Sequence, residues 1–570
     1  MNLFKRLIVS LLAILWADQV FATTYYIRPD GGTPKQCTGK TNASYPRAGT
    51  GRACAWNHYF WALGWNGGAK ARIRGGDTVI MDGEYRIGYD PHRNWRGGCL
   101  ETQTWECYPR PVPSGPSPGK KTKIYGKHYT ACSRSKAARL WGAERAPHVL
   151  NLQGSDNVEI ACLDITDKAQ CGRAHPNPGY TCRRDAYPHG NWAEVGISAI
   201  DSENVLLKNV YVHGLGLSGV RAGRIQNWEI INSEIVGNPF SGWDGDLGYP
   251  DVWADKGTIA FKRVKIEWNG CVERYPDPLR RPAPNSCYNE MQGGYGDAFA
   301  PATGGPFAGQ RTTYSFTEVN ISHNTSDGID NLYLDGIDKT IVLRSRLEGN
   351  TGQQLKFSGS GAVNDSKIIG NCGFFEGRAE TYRGGAEFGH CRAYGVALSW
   401  TVKTHGATLD IMGSTLYGQG DVIINSGGSV CNGSERLRIR NSILHGDTRW
   451  GLGGPRATDY FAAGNDGNGG GSCGRLAADW SGPKPRKGNI VYNTRFSRCN
   501  VKGVACANPL FVDKFISWPK VGHPIEYNVM LQSKSPARGR RNPAFGNSTD
   551  YSGYRRKNTI GAYEYRAGGE

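Results

Sequence analysis

The sequence predicts an all-β chain that folds as a right-handed parallel β-helix with long loop insertions. Short β-branched segments separated by glycine, asparagine and aspartate dominate the chain, which contains 79 glycines. Amphipathic helical patterns are scarce. The short segments share one order, in which a strand, a small or polar residue, a second strand and a turn follow one another. Repetition of that order at a nearly fixed interval is typical of a solenoid of stacked coils.

Three intervals define the spacing of the repeat, which begins near residue 150. They are 23 residues from Asn209 to Asn232, 26 from Ser345 to Asn371, and 27 from Ser414 to Asn441. One such coil cannot bury an apolar face alone, so we expect a stack of roughly ten coils around a continuous core. A β-sandwich with similar strand spacing is the alternative. It would not keep the same asparagine or serine before each glycine turn.

The start of the chain has the features of a secretory signal. A basic pair, Lys5 and Arg6, precedes a short apolar run and a small-residue cleavage site near Ala22. That run is too short to span a bilayer, and no second run approaches membrane length. We therefore interpret 1–22 as a signal peptide and expect 23–570 to be secreted as one β-helix domain. This domain would have an N-terminal cap region and a C-terminal closing segment, no membrane span, and a monomeric state.

Cysteine content and charge restrict the environment and the partners. Sixteen cysteines in an exported chain indicate disulfides rather than a metal cluster, and none shows a double Cys-x-x-Cys spacing. Their connectivity stays open at this point. The formal net charge of +18 suits an acidic polysaccharide, an acidic lipid or a nucleic acid. Export argues against nucleic acid, so an acidic polysaccharide is the expected partner.

Several intervals break the repeat and are interpreted as loops that emerge from the side of the stack. These intervals are 92–120, 167–194, 238–256, 270–310 and 447–486. The third and fourth contain aromatic residues of a kind that can stack on sugar rings, or that can simply cover the edge of the core. These aromatic residues are Trp243, Trp253, Tyr275, Tyr288 and Tyr295, together with Trp268 just before the fourth interval.

Two neighbouring segments share one register of 26 residues. Asn324 aligns with Asn350, and Asp330 aligns with Lys356. Matching positions of successive coils stack one strand spacing apart, about 4.8 Å. The alignment therefore places Asp327, Asp330 and Lys356 in one patch on one face. Two carboxylates beside a lysine can hold a cation next to a base, which indicates an enzyme.

Residues 324–377 resemble the pectate lyases of polysaccharide lyase family 9. The segment Ser-Asp-Gly-Ile-Asp at 326–330 is similar to that family's calcium-holding Asp-Asp-Gly-Phe-Asp, and Gln-Leu-Lys-Phe-Ser-Gly at 354–359 to its Gly-Phe-Lys-Leu-Gly. The chain ends also resemble the opening and closing segments of parallel β-helix proteins. The resemblance implies that Lys356 is the base and that Asp297, Asp327 and Asp330 bind calcium. Ser326 departs from the pattern and removes one ligand.

The predicted function is calcium-assisted β-elimination of a uronic-acid-containing, pectate-like polysaccharide. The reaction removes the proton at C5, and calcium against the substrate carboxylate stabilises the developing charge. Lysine must be neutral to act as the base, and its reference pKa is about 10.4. A nearby cation would lower that pKa, whereas Asp330 alone would raise it. Arg378 and Arg383, just after the next coil, are predicted to bind substrate carboxylates.

Other interpretations remain open. Residues 324–330 are also close to the Asn-Thr-Asp-Gly-x-Asp of polygalacturonase-type hydrolases, which would use Asp327 and Asp330 as acid and base. Their next coil should carry an aspartate pair, where this chain has Gln353 and Gln354. A non-catalytic glycan-binding solenoid is the third interpretation. In that case Lys356 would form only a structural ion pair with Asp330.

Overall fold

A computed structural model shows how the coils stack. The residues that it describes are 22–88, 108–143, 146–167, 193–271, 296–375, 396–420, 422–426, 431–447, 459–463, 478–480, 488–494, 502–517, 522–545 and 547–566. The predicted signal peptide thus lies, except for Ala22, outside the described residues. Within these ranges, no helix has the length and hydrophobicity that crossing a bilayer requires.

The described chain is almost entirely β-structure. Its first strands are β1 (Thr24–Gly32), β2 (Thr78–Met81), β3 (Glu84–Arg86), β4 (Thr122–Gly126), β5 (Ala138–Gly142), β6 (His148–Asn151), β7 (Val158–Asp167), β8 (Val195–Ile200), β9 (Leu206–His213), β10 (Ser218–Gly223), β11 (Gln226–Ile231), β12 (Glu234–Val236), β13 (Ser241–Asp244), β14 (Lys256–Lys262), β15 (Lys265–Glu267), β16 (Phe299–Ala300), β17 (Thr312–Thr317) and β18 (Asn320–Ser322). A single α-helical turn among the described residues, α1, spans Phe60–Leu63.

The remaining strands continue the same pattern. They are β19 (Ile329–Asn331), β20 (Lys339–Leu343), β21 (Arg346–Glu348), β22 (Leu355–Ser358), β23 (Ser360–Asn364), β24 (Lys367–Gly370), β25 (Leu398–Thr401), β26 (Thr408–Met412), β27 (Thr415–Gly418), β28 (Val422–Ser426), β29 (Arg436–Arg440), β30 (Ile443–His445), β31 (Asp459–Ala463), β32 (Ala478–Asp479), β33 (Asn489–Tyr492) and β34 (Val504–Ala505). Short 3₁₀ helices span Arg134–Lys136, Gly305–Phe307 and Cys372–Phe375.

The strands form three parallel stacks. The front sheet contains ten strands in the order β6, β8, β10, β13, β16, β19, β22, β25, β28 and β31. A second stack runs from β1 and β2 to β29 and β32, and a third from β3 and β5 to β33 and β34. From β10 to β33 the chain visits front, second and third stack in turn, eight times over. This is the parallel β-helix that the sequence predicts.

Coil length varies more than the sequence repeat suggested. The positions of Asn209 and Asn232 match as predicted, and both residues adopt left-handed backbone conformations. The alignment of Ser345 with Asn371 is wrong, because Arg346 pairs with Lys367 and the coil is only 21 residues long at this bend. The alignment of Ser414 with Asn441 is off by one residue. Thr415 pairs with Ile443, so Ser414 matches the serine that follows Asn441.

A ladder of buried serines explains the polar residue in the middle of each repeat. At the bend between the second and third stacks, the Ser345 backbone N–H donates to the Ser366 hydroxyl at 3.1 Å. Ser366 donates in the same way to Ser414, and Ser414 to Ser442, at 3.1 and 3.2 Å. Each hydroxyl thereby satisfies a backbone N–H that the bend removes from the strand ladder, which a buried site requires.

Aromatic side chains fill the middle of the helix. Trp243, at the core-facing position of β13, is fully buried against Phe261 and Phe299, with ring centroids 5.3 and 5.7 Å away. The interpretation of 238–256 as a loop is therefore wrong in part, since it contains a strand of the front sheet. Of the two roles left open for Trp243, the structure shows the core-covering one, because its side chain points inward from β13.

Both ends of the helix carry extra structure. β1 pairs with β2, and α1 buries Phe60 and Leu63 in the same core. The described parts of 509–564 lie along the outside of the third stack, where Phe511 and Ile560 join Ile443 in a second apolar cluster. Disulfides link Cys37 to Cys54 and Cys132 to Cys162, and no cysteine among the described residues is free. Disulfide bonding was predicted, and it suits an oxidising compartment.

Candidate functional site

The predicted patch lies on the outward face of the front sheet. β19 and β22 are neighbours, and Asp330 pairs with Lys356 in the observed register. The residues on either side of Asp330 and Lys356 are core residues, which turns these two polar side chains outward. The predicted 26-residue alignment of these coils is therefore confirmed.

The ammonium group of Lys356 contacts two carboxylates. Its Nζ lies 2.9 Å from Asp330 Oδ2 and 3.2 Å from Asp327 Oδ2. The side chain of Lys356 is only 12% exposed, and that of Asp327 is completely buried. Asp330 is therefore the carboxylate of the pair that faces the solvent beside the lysine.

Backbone hydrogen bonds fix Asp327 in place. Its Oδ1 accepts a hydrogen bond from the Gln353 N–H at 2.7 Å, and its own N–H donates to Asp297 Oδ1 at 2.8 Å. Gly352 makes this approach possible, because a Cβ there would stand 2.0 Å from Asp327 Oδ1. Asp297 precedes β16, the strand next to β19, so it contacts Asp327 from the adjacent coil, while Asp327 and Asp330 share the Lys356 ammonium.

A ladder of buried amides supports the turn before the site. Asn269, Asn324 and Asn350 each accept hydrogen bonds from the backbone and side-chain amides of the asparagine one coil earlier. Gln354 Oε1 completes the series by accepting from Asn350 at 3.1 and 2.7 Å. The ladder consists of Asn238, Asn269, Asn324 and Asn350. The sequence aligned its last two members but gave no sign of the role of Gln354, because a glutamine four residues on replaces the next asparagine.

Charge and burial act in opposite directions at the site. Burial alone would lower the pKa of Lys356, but the negative charges of Asp327 and Asp330, and then of Asp297, outweigh it and raise that pKa. Burial and the charge of Asp327 raise the pKa of Asp330, and Lys356 opposes them. Lys356 is therefore a cation at neutral pH in this arrangement.

Calcium fits these donors in chemical type. The three aspartates offer carboxylate oxygens, which calcium prefers, although six to eight are needed and Ser326 supplies none as a carboxylate. Among the described residues, no three metal-binding side chains converge closely enough to hold an ion. The ammonium of Lys356 already contacts Oδ2 of both Asp327 and Asp330. Calcium and protonated Lys356 would therefore compete for Asp327 and Asp330.

The other predicted site residues either lie outside the described residues or are at least partly buried. Arg378 and Arg383 lie outside the described residues, as do Tyr275, Tyr288 and Tyr295. Of the two roles left open for Trp268, the structure shows the core-covering one, because it is buried and stacks on His323 with centroids 4.5 Å apart. Trp253 is half-buried beneath the guanidinium of Arg224.

Sequence reasoning missed four residues on this face. Lys403 donates to the Leu334 carbonyl at 3.1 Å, and burial lowers its pKa although nearby aspartates, including Asp330, oppose that change. Tyr333, three residues after Asp330, is largely exposed. Arg221 and Asp244 lie farther along the front sheet. Locating them requires the length of every intervening coil, which no local motif provides.

Three solved structures are similar to the chain at low identity. Pectate lyase Pel9A has 13% identity and a TM-score of 0.40, covering 95% of this chain and 96% of that one. A rhamnogalacturonan lyase has 10% identity and a TM-score of 0.35, covering 81% and 89%. An alginate lyase from Paenibacillus sp. str. FPU-7 has 12% identity and a TM-score of 0.26, covering 69% and 91%. No protein-family model matches the chain, and no curated protein matches it.

Proposed function

We propose that this chain is a secreted, monomeric polysaccharide lyase that cleaves a uronic-acid-containing, pectate-like polymer by calcium-assisted β-elimination, with Lys356 as the base. The observation that supports this best is the contact of Lys356 with Asp327 and Asp330 on an outward sheet face. A fold of this kind hosts many functions, so the proposal depends on the site rather than on structural likeness.

The neutral amine of Lys356 would take the proton from C5 of the uronate. The C4–C5 double bond then forms, the C4–O bond breaks, and the departing oxygen takes a proton from water. Calcium held by Asp297, Asp327 and Asp330 would stabilise the negative charge that develops on the substrate carboxylate. Because the aspartates raise the pKa of Lys356, activity should increase with pH. Any cation that competes with Lys356 for these oxygens should shift that increase to lower pH.

The hydrolase alternative is less well supported by the geometry. Hydrolysis needs one carboxylic acid at the leaving oxygen and a second carboxylate at the water or the sugar. Asp327 is fully buried, with hydrogen bonds from Gln353 and Lys356 to its two oxygens. Of the two predicted carboxylates, only Asp330 is exposed to solvent at all, over 10% of its side chain. This observation favours elimination by Lys356.

Replacing Lys356 by arginine tests the role of the base. Arginine keeps the positive charge beside the two aspartates but cannot be deprotonated in proteins. We expect Lys356→Arg to fold and to bind the polymer, while its rate falls about 10²–10⁴-fold. The matched control is Lys265→Arg, because Lys265 pairs with Glu234 across neighbouring strands at 2.9 Å. Retained activity in Lys356→Arg would exclude Lys356 as the base. A purely glycan-binding protein would show no cleavage even in the wild type.

A further inference from the structure

The outward column that contains the candidate site continues along the front sheet. In register, it runs from Arg221 on β10 to Asp244 on β13, Ala300 on β16, Asp330 on β19 and Lys356 on β22. Adjacent strands are about 4.8 Å apart, so Arg221 lies four strands, or about 19 Å, from Lys356. A pyranose unit is about as long as one strand spacing. The column is therefore long enough to lie along several sugars of one polymer.

Arg221 is held loosely by its acidic neighbour. Its Nε lies 3.9 Å from Asp244 Oδ2, which is an ion pair but too long for a hydrogen bond. That Nε is buried and has no hydrogen-bond partner among the described residues, while the side chain as a whole is 43% exposed. Because the Nε is buried, an incoming carboxylate would meet the exposed part of the side chain, where a guanidinium offers its terminal N–H donors.

Asp244 neutralises Arg221 only in part. Burial raises the pKa of Asp244 to about 7, although Arg221 opposes that change. Near neutral pH the carboxyl group is therefore partly protonated, which leaves positive charge at Arg221. Between this pair and Asp330 the column contains only the small side chain of Ala300, so no bulky side chain separates the two charged positions.

We infer that Arg221 forms a second carboxylate-binding subsite for the same polymer, about four sugars from the bond that is cleaved. The inference depends on the proposed function for its substrate class. It assigns Arg221 a binding role and no part in the chemical step. Tyr249 and Tyr333 are both exposed and follow strands of the front sheet at the same edge, which suits a long sugar chain lying beside the column.

The test compares short and long oligomers. Arg221→Gln should raise the KM for an octagalacturonide about tenfold, since a charged hydrogen bond is lost, and leave the KM for a trigalacturonide unchanged. Arg221→Lys should show a smaller rise, because the charge remains but the bidentate contact is lost. The control is Arg438→Gln. Arg438 also pairs with an aspartate, Asp410, but on the second stack, and its side chain is similarly exposed, at 42%. Equal effects on both oligomers, or none, would overturn the subsite.

A binding measurement separates this inference from the proposed activity. If the wild-type chain cleaves no uronate oligomer, the proposed function fails. Calorimetric titration with octamers of galacturonate, mannuronate and guluronate then decides the subsite. Weaker binding by Arg221→Gln, with a melting temperature equal to that of the wild type, would support it. Unchanged affinity in the variant, or no binding by the wild type, would overturn it.

Discussion

At the scale of single residues, the site depends on how the surroundings of Lys356 set its protonation state. Lys356 is nearly buried, and burial would favour its neutral form. Two carboxylates within 3.2 Å reverse that preference. Asp327 is inaccessible to solvent, whereas the side chain of Asp330 is 10% exposed beside the lysine. The same pair thus controls both the charge of the base and the oxygens available to a cation.

Asp330→Asn should lower the pKa of Lys356, because one of the two contacting negative charges disappears. An amine-specific acylating reagent, used without calcium, should then modify Lys356 at lower pH than in the wild type, as followed by peptide mapping. Asp410→Asn, which removes the partner of Arg438 on the second stack, should leave this profile unchanged. An identical profile in Asp330→Asn would show that the ion pair does not set the charge of Lys356.

Gly352→Ala should damage the site from its neighbouring turn. A Cβ at this position would stand 2.0 Å from Asp327 Oδ1, an atom that accepts a hydrogen bond from the Gln353 N–H. We expect a loss of about 1–3 kcal/mol in the free energy of unfolding, measured in denaturant, together with reduced activity. Gly119→Ala is the matched control, since a Cβ there meets no atom within 4 Å. Equal stabilities of the two variants would contradict the proposed close approach.

At the scale of the element, two polar ladders keep the coils in register. The serine ladder occupies the bend between the second and third stacks, and the asparagine ladder occupies the turn before the front sheet. Both satisfy buried backbone N–H groups from one coil to the next. The asparagine ladder ends at Gln354, two residues before Lys356. It therefore positions the strand that carries the proposed base.

Asn324→Ala tests the asparagine ladder. The change removes the acceptor for the Asn269 amides and the donor to Asn350, all in the buried interior. Leaving these groups without partners should cost about 2–4 kcal/mol of unfolding free energy, measured by chemical denaturation. Asn42→Ala, at an exposed asparagine, should change it by less than about 0.5 kcal/mol. A cost for Asn324→Ala as small as that of the control would show that the ladder does not stabilise the coils.

At the scale of the whole molecule, the sequence predicted the architecture because every coil repeats the same local pattern. The fold class, the opening strand and the alignment of Asp330 with Lys356 follow from segments close together in the chain. Alignments of similar length failed where the coil length changes, as at Ser345 and Ser414. Successive ladder asparagines are 31, 55 and 26 residues apart, so a fixed period loses register at the insertion before Asp297.

The direction of a side chain was harder to predict than the position of its coil. A shift of one residue exchanges core and surface in a strand, so the sequence alone left open whether Trp243 covers the core or faces a sugar. Arg221 was missed for a related reason, since four coils of unequal length separate it from Lys356. The front sheet as a whole, rather than any one motif, brings these charges into line.

The most direct test of the central claim is the product formed by the purified mature chain from uronic-acid polymers. We expect a calcium-dependent increase in ultraviolet absorbance from the C4–C5 unsaturated uronate, abolished by chelator and by Lys356→Arg. New reducing ends without that absorbance would contradict elimination and assign the chain to the hydrolases. If neither signal appears on polymers that the chain binds, the result contradicts catalysis and indicates a glycan-binding protein.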